Sequence, residues 1–581
     1  MCTQPAPTQL HRPQTPSSPS SWQCDVTANQ RTPLNSGRST PVPADALPSV
    51  KVLSSARRQA RAEQRRRIFP TIEFASRVSH FDPNSDYRDF HGFFNLFWVG
   101  LFIMGITSML RNLKETGWPF RVQIWTLFTI KWWHLGLVDF AMVASASLVY
   151  PLQIYVRKQK DGSAMTWAKG GMAIQSIYQV GWMAFWVAVP FVLEWPWTSQ
   201  VFLILHTMVI LMKMHSYGFY NGHLSETEKR LHDLDNPKTA SREPAYLYPT
   251  AENPGGTVSS PVQSKHPEHT DSQEEEEELA QLREDLAREL TSPMGNVTYP
   301  ANLTWSNYVD FLFCPTLCYE IEYPRFDSID WKNLFAKVTA VFGCIFLLTI
   351  ISEEFILPTL QESSARLHGS DPAPGALESL LILAETTSWL LFPFMLTFLL
   401  VFLVIFEYVL GAFAEITRFA DRHFYSDWWN STDWMEFSRE WNIPVYSFLR
   451  RHVYSASRPH IGRAYATVIT FLISAIGHEI VMACITKKLR GYGFVCQMLQ
   501  LPIVMLQRTK LVRGKKTLNN VAFWSSMIMG LSLVRTTSAA LSLFRALLTT
   551  CPRRSAPSTY SSKSPSPEAL PPSETRTTDI F

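Results

Sequence analysis

The sequence predicts an all-α polytopic membrane protein of about nine transmembrane helices. Three observations predict it. Aromatic residues are abundant, at 37 Phe, 19 Trp and 19 Tyr. Apolar stretches of about 17–25 residues, the length that crosses a ~30 Å hydrocarbon core, recur along the chain. The mean hydropathy of −0.03 over 581 residues is bland because polar, Pro- and Ser-rich segments dilute these stretches. A near-balanced charge, 53 basic against 49 acidic residues, without a basic stripe interleaved with stacking aromatics, gives no case for a nucleic-acid partner. The eight cysteines are split between polar tails and apolar runs, which excludes a disulfide scaffold. Cys314 and Cys318 in CPTLC lack a second Cys/His pair at zinc spacing, so buried thiols and no metal are expected.

Residues 1–88 carry no apolar run and are expected to form a disordered cytosolic arm without a signal peptide. The arm ends in a basic run that includes Arg57, Arg58, Arg61, Arg65, Arg66 and Arg67, which places the N-terminus in the cytosol. Four spans follow within 89–222: Phe93 to Leu110, Gly136 to Val156, Gly171 to Leu193 and Val201 to Met214. Residues 223–308 form a polar, acidic cytosolic loop with an acidic run, Glu274 to Glu278. Within it Leu279, Leu282, Leu286 and Leu290 recur at helical spacing, which predicts a short amphipathic helix. Region 309–535 holds Leu334 to Leu357, Leu377 to Leu410 with Pro393 inside, Tyr465 to Ile485, Gly493 to Leu506 and Val521 to Val534. Residues 536–581 are an atypical Pro/Ser-rich tail.

Basic loops check the topology. Those after the second, sixth and eighth spans carry the positive charge expected on the cytosolic side, and the long loop after the fourth falls on the same side. Arg111, Lys114 and Arg121 after the first span, and Lys487, Lys488 and Arg490 after the seventh, run against the rule. The sequons at Asn296, Asn302 and Asn430 fall on the cytosolic side, where no glycan is expected.

Ionisable groups inside membrane helices are costly and are treated as functional candidates. His478, in TFLISAIGHEIVMACI, is one, and its apolar surroundings predict a buried, neutral imidazole able to accept a proton from an alcohol. A packing histidine is the plainer alternative. The segment from Ala412 to Arg463 is the second candidate. An interfacial aromatic belt explains its Trp and Tyr content, but not the polar Asp427 and Asn430 within FYSDWWN, nor Asn442 after Trp441. Arg439, Arg450, Arg451 and Arg463 are cations suited to phosphate.

FYSDWWN (Phe424, Tyr425, Asp427, Trp428, Trp429 and Asn430 with Ser426), the pair Trp441-Asn442 and the intramembrane His478 together resemble the membrane-bound O-acyltransferase superfamily, in its sterol and diacylglycerol O-acyltransferase branch. MKMHSYGFYNG (Met212 to Gly222), FLFCPTLCYEIEYPR (Phe311 to Arg325) and QMLQLPIV (Gln497 to Val504) resemble the fungal sterol O-acyltransferases, and the likeness covers roughly Phe93 to Val534. The resemblance implies transfer of a long-chain acyl group from acyl-CoA, a co-substrate rather than a bound cofactor, to a sterol 3-hydroxyl. It implies His478 and Asn442 as catalytic residues and Arg439, Tyr454, Arg463 and Ser474 at acyl-CoA, the last two by spacing from His478. It also implies the endoplasmic reticulum membrane, contact with membrane lipids, and a homodimer or homotetramer. A diacylglycerol acceptor and a non-enzymatic sterol-binding or transport protein are the competing readings. After Val534 the chain departs from the family's complete final apolar helix, with Arg535 and Arg545 interrupting it, and an altered terminal exon is the expectation that accounts for this.

Overall fold

The computed structural model describes residues 72, 74–81, 91–120, 132–159, 163–234, 246–247, 257–258, 282–368, 374–486, 488–507, 509, 512, 515–528 and 530. The basic run before residue 68, the acidic run, the end of the ninth expected span and the tail from 536 lie outside them.

Among the described residues, seven helices are long and apolar enough to cross a membrane: Gly92–Thr116, Trp132–Arg157, Trp167–Val192, Thr198–Leu234, Trp331–Leu367, Ala376–Ile416 and Ile443–Ile485. A shorter apolar helix, Gly493–Gln507, and a helix over 516–528 complete the order expected from hydropathy. In detail these comprise α1 (His91–Thr116), α2 (Trp132–Ala146), α3 (Val149–Arg157), α4 (Met172–Val192) and α5 (Trp197–Leu234). After α6 (Trp305–Phe313) come α7 (Trp331–Ile351), α8 (Leu357–His368), α9 (Ala376–Phe402) and α10 (Leu410–Ile416). The chain then forms α11 (Trp434–Glu440), α12 (Ile443–Phe448), α13 (Ser455–Thr486) and α14 (Tyr492–Gln507). Among the described residues the only sheet is a two-stranded antiparallel pair, Tyr246–Leu247 with Thr257–Val258.

Most membrane helices bury little of themselves. Only 11% of the apolar stretch of α1 is buried, against 50% for that of α5, so most of α1 lies on the outside of the bundle and α5 is the most enclosed of these spans. Around α5 gather Tyr217, Tyr308, Phe311 and Tyr319, each at most 1% exposed. Gly222 is required there: a Cβ at this position would lie 2.2 Å from the Trp167 ring.

α5 corrects one boundary. Hydropathy ends the fourth span at Met214 and begins a polar loop at residue 223, yet the helix runs on to Leu234. Its polar turns persist because their charges find remote partners. Arg157 donates to both Glu228 carboxylate oxygens at 3.1 and 3.0 Å, and His223 Nε2 lies 2.9 Å from Glu289 Oε1. Glu289 belongs to a helix over 282–289, which buries Ala287, has Leu290 buried just beyond it and leaves Leu282 48% exposed. A second correction concerns the arm. Its residues 74–81 do not float free; they dock on the far half of the chain, because Phe74, Arg77, Ser79, His80 and Phe81 meet partners hundreds of positions away that local composition cannot disclose.

Among the described residues, four π-helical turns lie within or at the start of the long helices: Trp167–Gly171, Ser352–Ile356, Leu403–Val409 and Leu449–Tyr454. Three of them carry buried ionisable residues, namely Glu353 and Glu354, Glu407, and Arg451 and His452. Such turns cluster at functional positions in helices.

Candidate active site

FYSDWWN is not a helix. It enters after α10, where Phe419 N and Ala420 N donate to the carbonyls of Ala414 and Pro324, and closes in a single 3₁₀ turn, Trp428–Asn430. Phe424, Tyr425 and Trp428 are buried at 4%, 1% and 1% exposure. The Trp428 ring sits in an aromatic box of Phe398, Phe402, Trp441 and Trp524, with centroids 4.8–5.7 Å away. Trp441 stacks on Phe398 at 4.8 Å and 10°. Aromatic pairs of this kind add about 0.5–1.5 kcal/mol each beyond area burial.

Backbone bonds bind the motif to the Trp441-Asn442 pair: Ser426 N donates to Glu440 O at 2.8 Å and Ile443 N to Phe424 O at 3.0 Å. α11 starts where Asp433 accepts from Glu436 N at 2.7 Å while Glu436 accepts from Thr432 N at 2.8 Å. Asn442 is the N-cap of α12, its Oδ1 accepting from Val445 N at 3.1 Å. With the oxygen committed there, the amide Nδ2 is the donor it still has to offer. Asp427 and Trp429 are half-buried and Asn430 is exposed.

A buried carboxylate that the sequence reading passed over organises this cluster. Glu407, 6% exposed on the π turn after α9, accepts from Tyr425 Oη at 2.9 Å and pairs with Lys337 Nζ at 3.0 Å. Its position in LVIFEYV, an apolar run, was the available signal. Asp421, 5% exposed, pairs bidentately with Arg77 at 3.0 and 2.5 Å. His423 stacks on His80 with centroids 5.7 Å apart. Burial, then the Arg77 guanidinium and the neighbouring His80, push the His423 imidazole down to about 4, and burial also lowers His80.

His478 lies on the second half of α13, past a break at Gly462 (φ 77°, ψ 174°). Here the expectation of burial is corrected: His478 is exposed in the single chain, and its neighbour Glu479 is the buried one, at 9%. Helical geometry gives the reason, since consecutive residues project about 100° apart and the packed face falls on 475 and 479. His478 Nδ1 lies 2.8 Å from Ser474 O. A carbonyl only accepts, so Nδ1 carries the proton and in the neutral ring Nε2 keeps its lone pair. Ser474 Oγ accepts from Gln497 Nε2 at 3.2 Å.

α14 joins the two halves. Glu479 accepts from Gly491 N at 2.6 Å and Phe494 N at 3.1 Å, anchoring a carboxylate at the start of α14. A Cβ on Gly493 would meet His478 O at 3.2 Å and Met482 Cγ at 2.9 Å, so α13 and α14 touch backbone to backbone there. At its other end Gln507 Oε1 accepts from Trp434 N at 3.4 Å. Sixteen residues of helix span about 24 Å. The structure therefore brings Phe424, Tyr425, Trp428, Trp429 and Asn442 into one cluster and His478 with Ser474 into another, and α14 bonds Trp434 beside the first and Ser474 in the second. Of the remaining expected contacts, Arg439 and Arg463 are exposed and Tyr454, on a π turn, is half-buried; no hydrogen bond between described residues gathers these three.

Other buried groups of the motif-bearing regions serve structure. Lys213 Nζ donates to three carbonyls, of Phe311, Cys314 and Thr316, at 2.6–2.9 Å, tying CPTLC to α5. Cys314 and Cys318 are free thiols pushed up to about 12 by burial, far from thiolate reactivity at neutral pH. Among the described residues no group of three or more His, Cys, Asp or Glu is placed to hold a metal.

Residues 171–540 match the model of the membrane-bound O-acyltransferase family. The chain is 39% identical over 446 residues to "Probable sterol O-acyltransferase 2" of Schizosaccharomyces pombe, covering 77% of this chain and 86% of that protein. It is 31% identical over 491 residues to "Sterol O-acyltransferase 2" of Candida albicans, covering 81% and 78%. A shorter stretch of 254 residues, 44% of this chain and 40% of the other, is 32% identical to "Diacylglycerol O-acyltransferase 1" of Dictyostelium discoideum. A polytopic helical bundle, an aromatic motif boxed beside a capping asparagine, and a match over most of the chain lead to one conclusion: this protein belongs to the membrane-bound O-acyltransferase family and is an acyltransferase.

Proposed function

We propose that the protein transfers a long-chain acyl group from acyl-CoA to the 3-hydroxyl of a sterol, forming a steryl ester and CoA in the endoplasmic reticulum membrane with the N-terminus in the cytosol. The observation that carries the mechanism is the 2.8 Å contact of His478 Nδ1 with the Ser474 carbonyl: it assigns the ring proton to Nδ1 and leaves Nε2 to take the proton from the sterol hydroxyl. General-base assistance of this kind is worth about 10²–10⁴-fold. The sterol oxygen attacks the thioester carbonyl, the C–S bond breaks, and the proton passes to the departing CoA thiolate. No acyl-enzyme forms, in keeping with the raised pKa values of Cys314 and Cys318. Asn442 would donate through Nδ2 to the acyl group and fix its direction. The polar CoA would lie toward exposed Arg439 and Arg463, with Tyr454 and Ser474 along the path, and the acyl chain within lipid. Choice of sterol over diacylglycerol rests on the longer coverage of the relatives named as sterol enzymes. A homodimer or homotetramer is part of the same proposal.

The test uses membranes containing the protein, labelled oleoyl-CoA, and sterol or diacylglycerol. Steryl oleate should form, and His478→Ala should reduce it at least 100-fold with the protein still accumulating. Label appearing only in triacylglycerol would move the assignment to the diacylglycerol branch, and an undiminished His478→Ala rate would remove His478 as base.

A further inference from the structure

The family match begins at residue 171, yet the segment 74–81 reaches the motif directly. Arg77 and Asp421 form a bidentate ion pair beside reciprocal backbone bonds, Arg77 N to Ala420 O at 3.1 Å and Arg422 N to Arg77 O at 2.9 Å. Ser79 Oγ bonds Glu407 Oε2 and lies 3.0 Å from Tyr425 Oη. His80 lies against His423, Tyr425 and Trp429. Phe81 packs on Tyr425 and Trp429, and Phe74 on Tyr323 and Phe419. The two buried carboxylates that flank FYSDWWN, Asp421 and Glu407, thus both take hydrogen bonds from these few residues. Removing Arg77 would leave Asp421 a buried charge without its counterion, and such a charge pulls its segment toward water.

We propose that segment 74–81 is a positioning strap for acyl transfer, with Arg77 and Ser79 holding FYSDWWN in its working shape through Asp421 and Glu407. The functional unit therefore begins in the arm, ahead of the first membrane helix. This rests on the reading that FYSDWWN is needed for the reaction.

The strap also sets a pH response. His423 stacks on His80 of the strap at 5.7 Å, and its backbone N–H donates to Asp421, the partner of Arg77, at 3.3 Å, so the titratable and charged groups around it are Arg77, His80, Asp421 and Asp427. Arg77 is one of the charges holding it low, so replacing Arg77 by Gln lets His423 protonate at higher pH, and the acid limb of activity should move upward. A purely structural contact would not move that limb.

The experiment uses the full chain in two measurements. In the purified protein, hydrogen–deuterium exchange over residues 419–430 should rise at least tenfold in Arg77→Asp and return toward the parent in Arg77→Asp with Asp421→Arg. In membranes, at matched abundance, Arg77→Asp should lower steryl oleate formation at least tenfold and the double variant should recover to within about threefold. Arg77→Gln, a milder change that guards against misfolding, should shift the acid limb upward. Unchanged exchange in Arg77→Asp overturns the strap whatever the activity. Raised exchange with undiminished turnover overturns its positioning role. A parent chain that makes no steryl ester, while exchange still responds to Arg77, sinks the sterol assignment and leaves the docking of the strap standing.

Discussion

At the scale of single residues, chemistry was legible in type and illegible in partnership. His478, Asn442 and FYSDWWN could be singled out from the chain because an imidazole in an apolar run and polar groups among tryptophans are expensive. The direction of the His478 proton needed the Ser474 carbonyl 2.8 Å away, and the N-cap duty of Asn442 needed the α12 backbone. Arg451 shows the same divide. Its sequence setting suits a phosphate-binding cation, but it is 1% exposed, bonds Glu320 at 2.6 Å and Tyr319 O at 3.1 Å, and lies over the Tyr220 ring. Replacing it by Met leaves the Glu320 carboxylate buried and should cost about 3–5 kcal/mol. The expected result is a markedly lower melting temperature in detergent, with much of the loss recovered when Glu320 is changed to Leu as well.

At the scale of elements, hydropathy found the spans because a ~30 Å apolar slab demands helices of fixed length. It misjudged α5, whose last turns are polar and survive through Arg157–Glu228 and His223–Glu289. Arg111, at odds with the charge rule, is matched across helices by Glu354 at 2.6 Å, on a π turn invisible to a 3.6-residue period. α14 depends on its anchor at the His478 end. Glu479→Ala removes a charged acceptor from two backbone donors and should cost about 1–2 kcal/mol. Gly493→Val pushes a side chain against His478 O and Met482, and steryl ester formation should fall at least tenfold in a variant that still reaches the membrane; wild-type turnover in Gly493→Val would show that α14 does not set the position of His478.

At the scale of the whole molecule, the strap ties the arm to the motif through groups whose titration has a defined sign. His423 is held at about 4, below its ordinary 6.5. Stability from keeping it neutral is therefore full above pH ~6.5 and is lost as pH falls toward 4. Thermal melts between pH 7.5 and 4.5 should show the decline, and His423→Phe should flatten it; an equal decline in that variant would assign the effect elsewhere. By itself the sequence determined that this is a polytopic helical membrane protein, the order of its spans, and which residue types carry the chemistry. Those follow from length, hydropathy and spacing, which are local properties. The tertiary structure decided that the arm docks at residues 74–81, that His478 is exposed while Glu479 is buried, and that Glu407 and Asp421 brace FYSDWWN. Each of these depends on pairing groups far apart in the chain, and no local pattern records which charge a folded bundle brings to which partner.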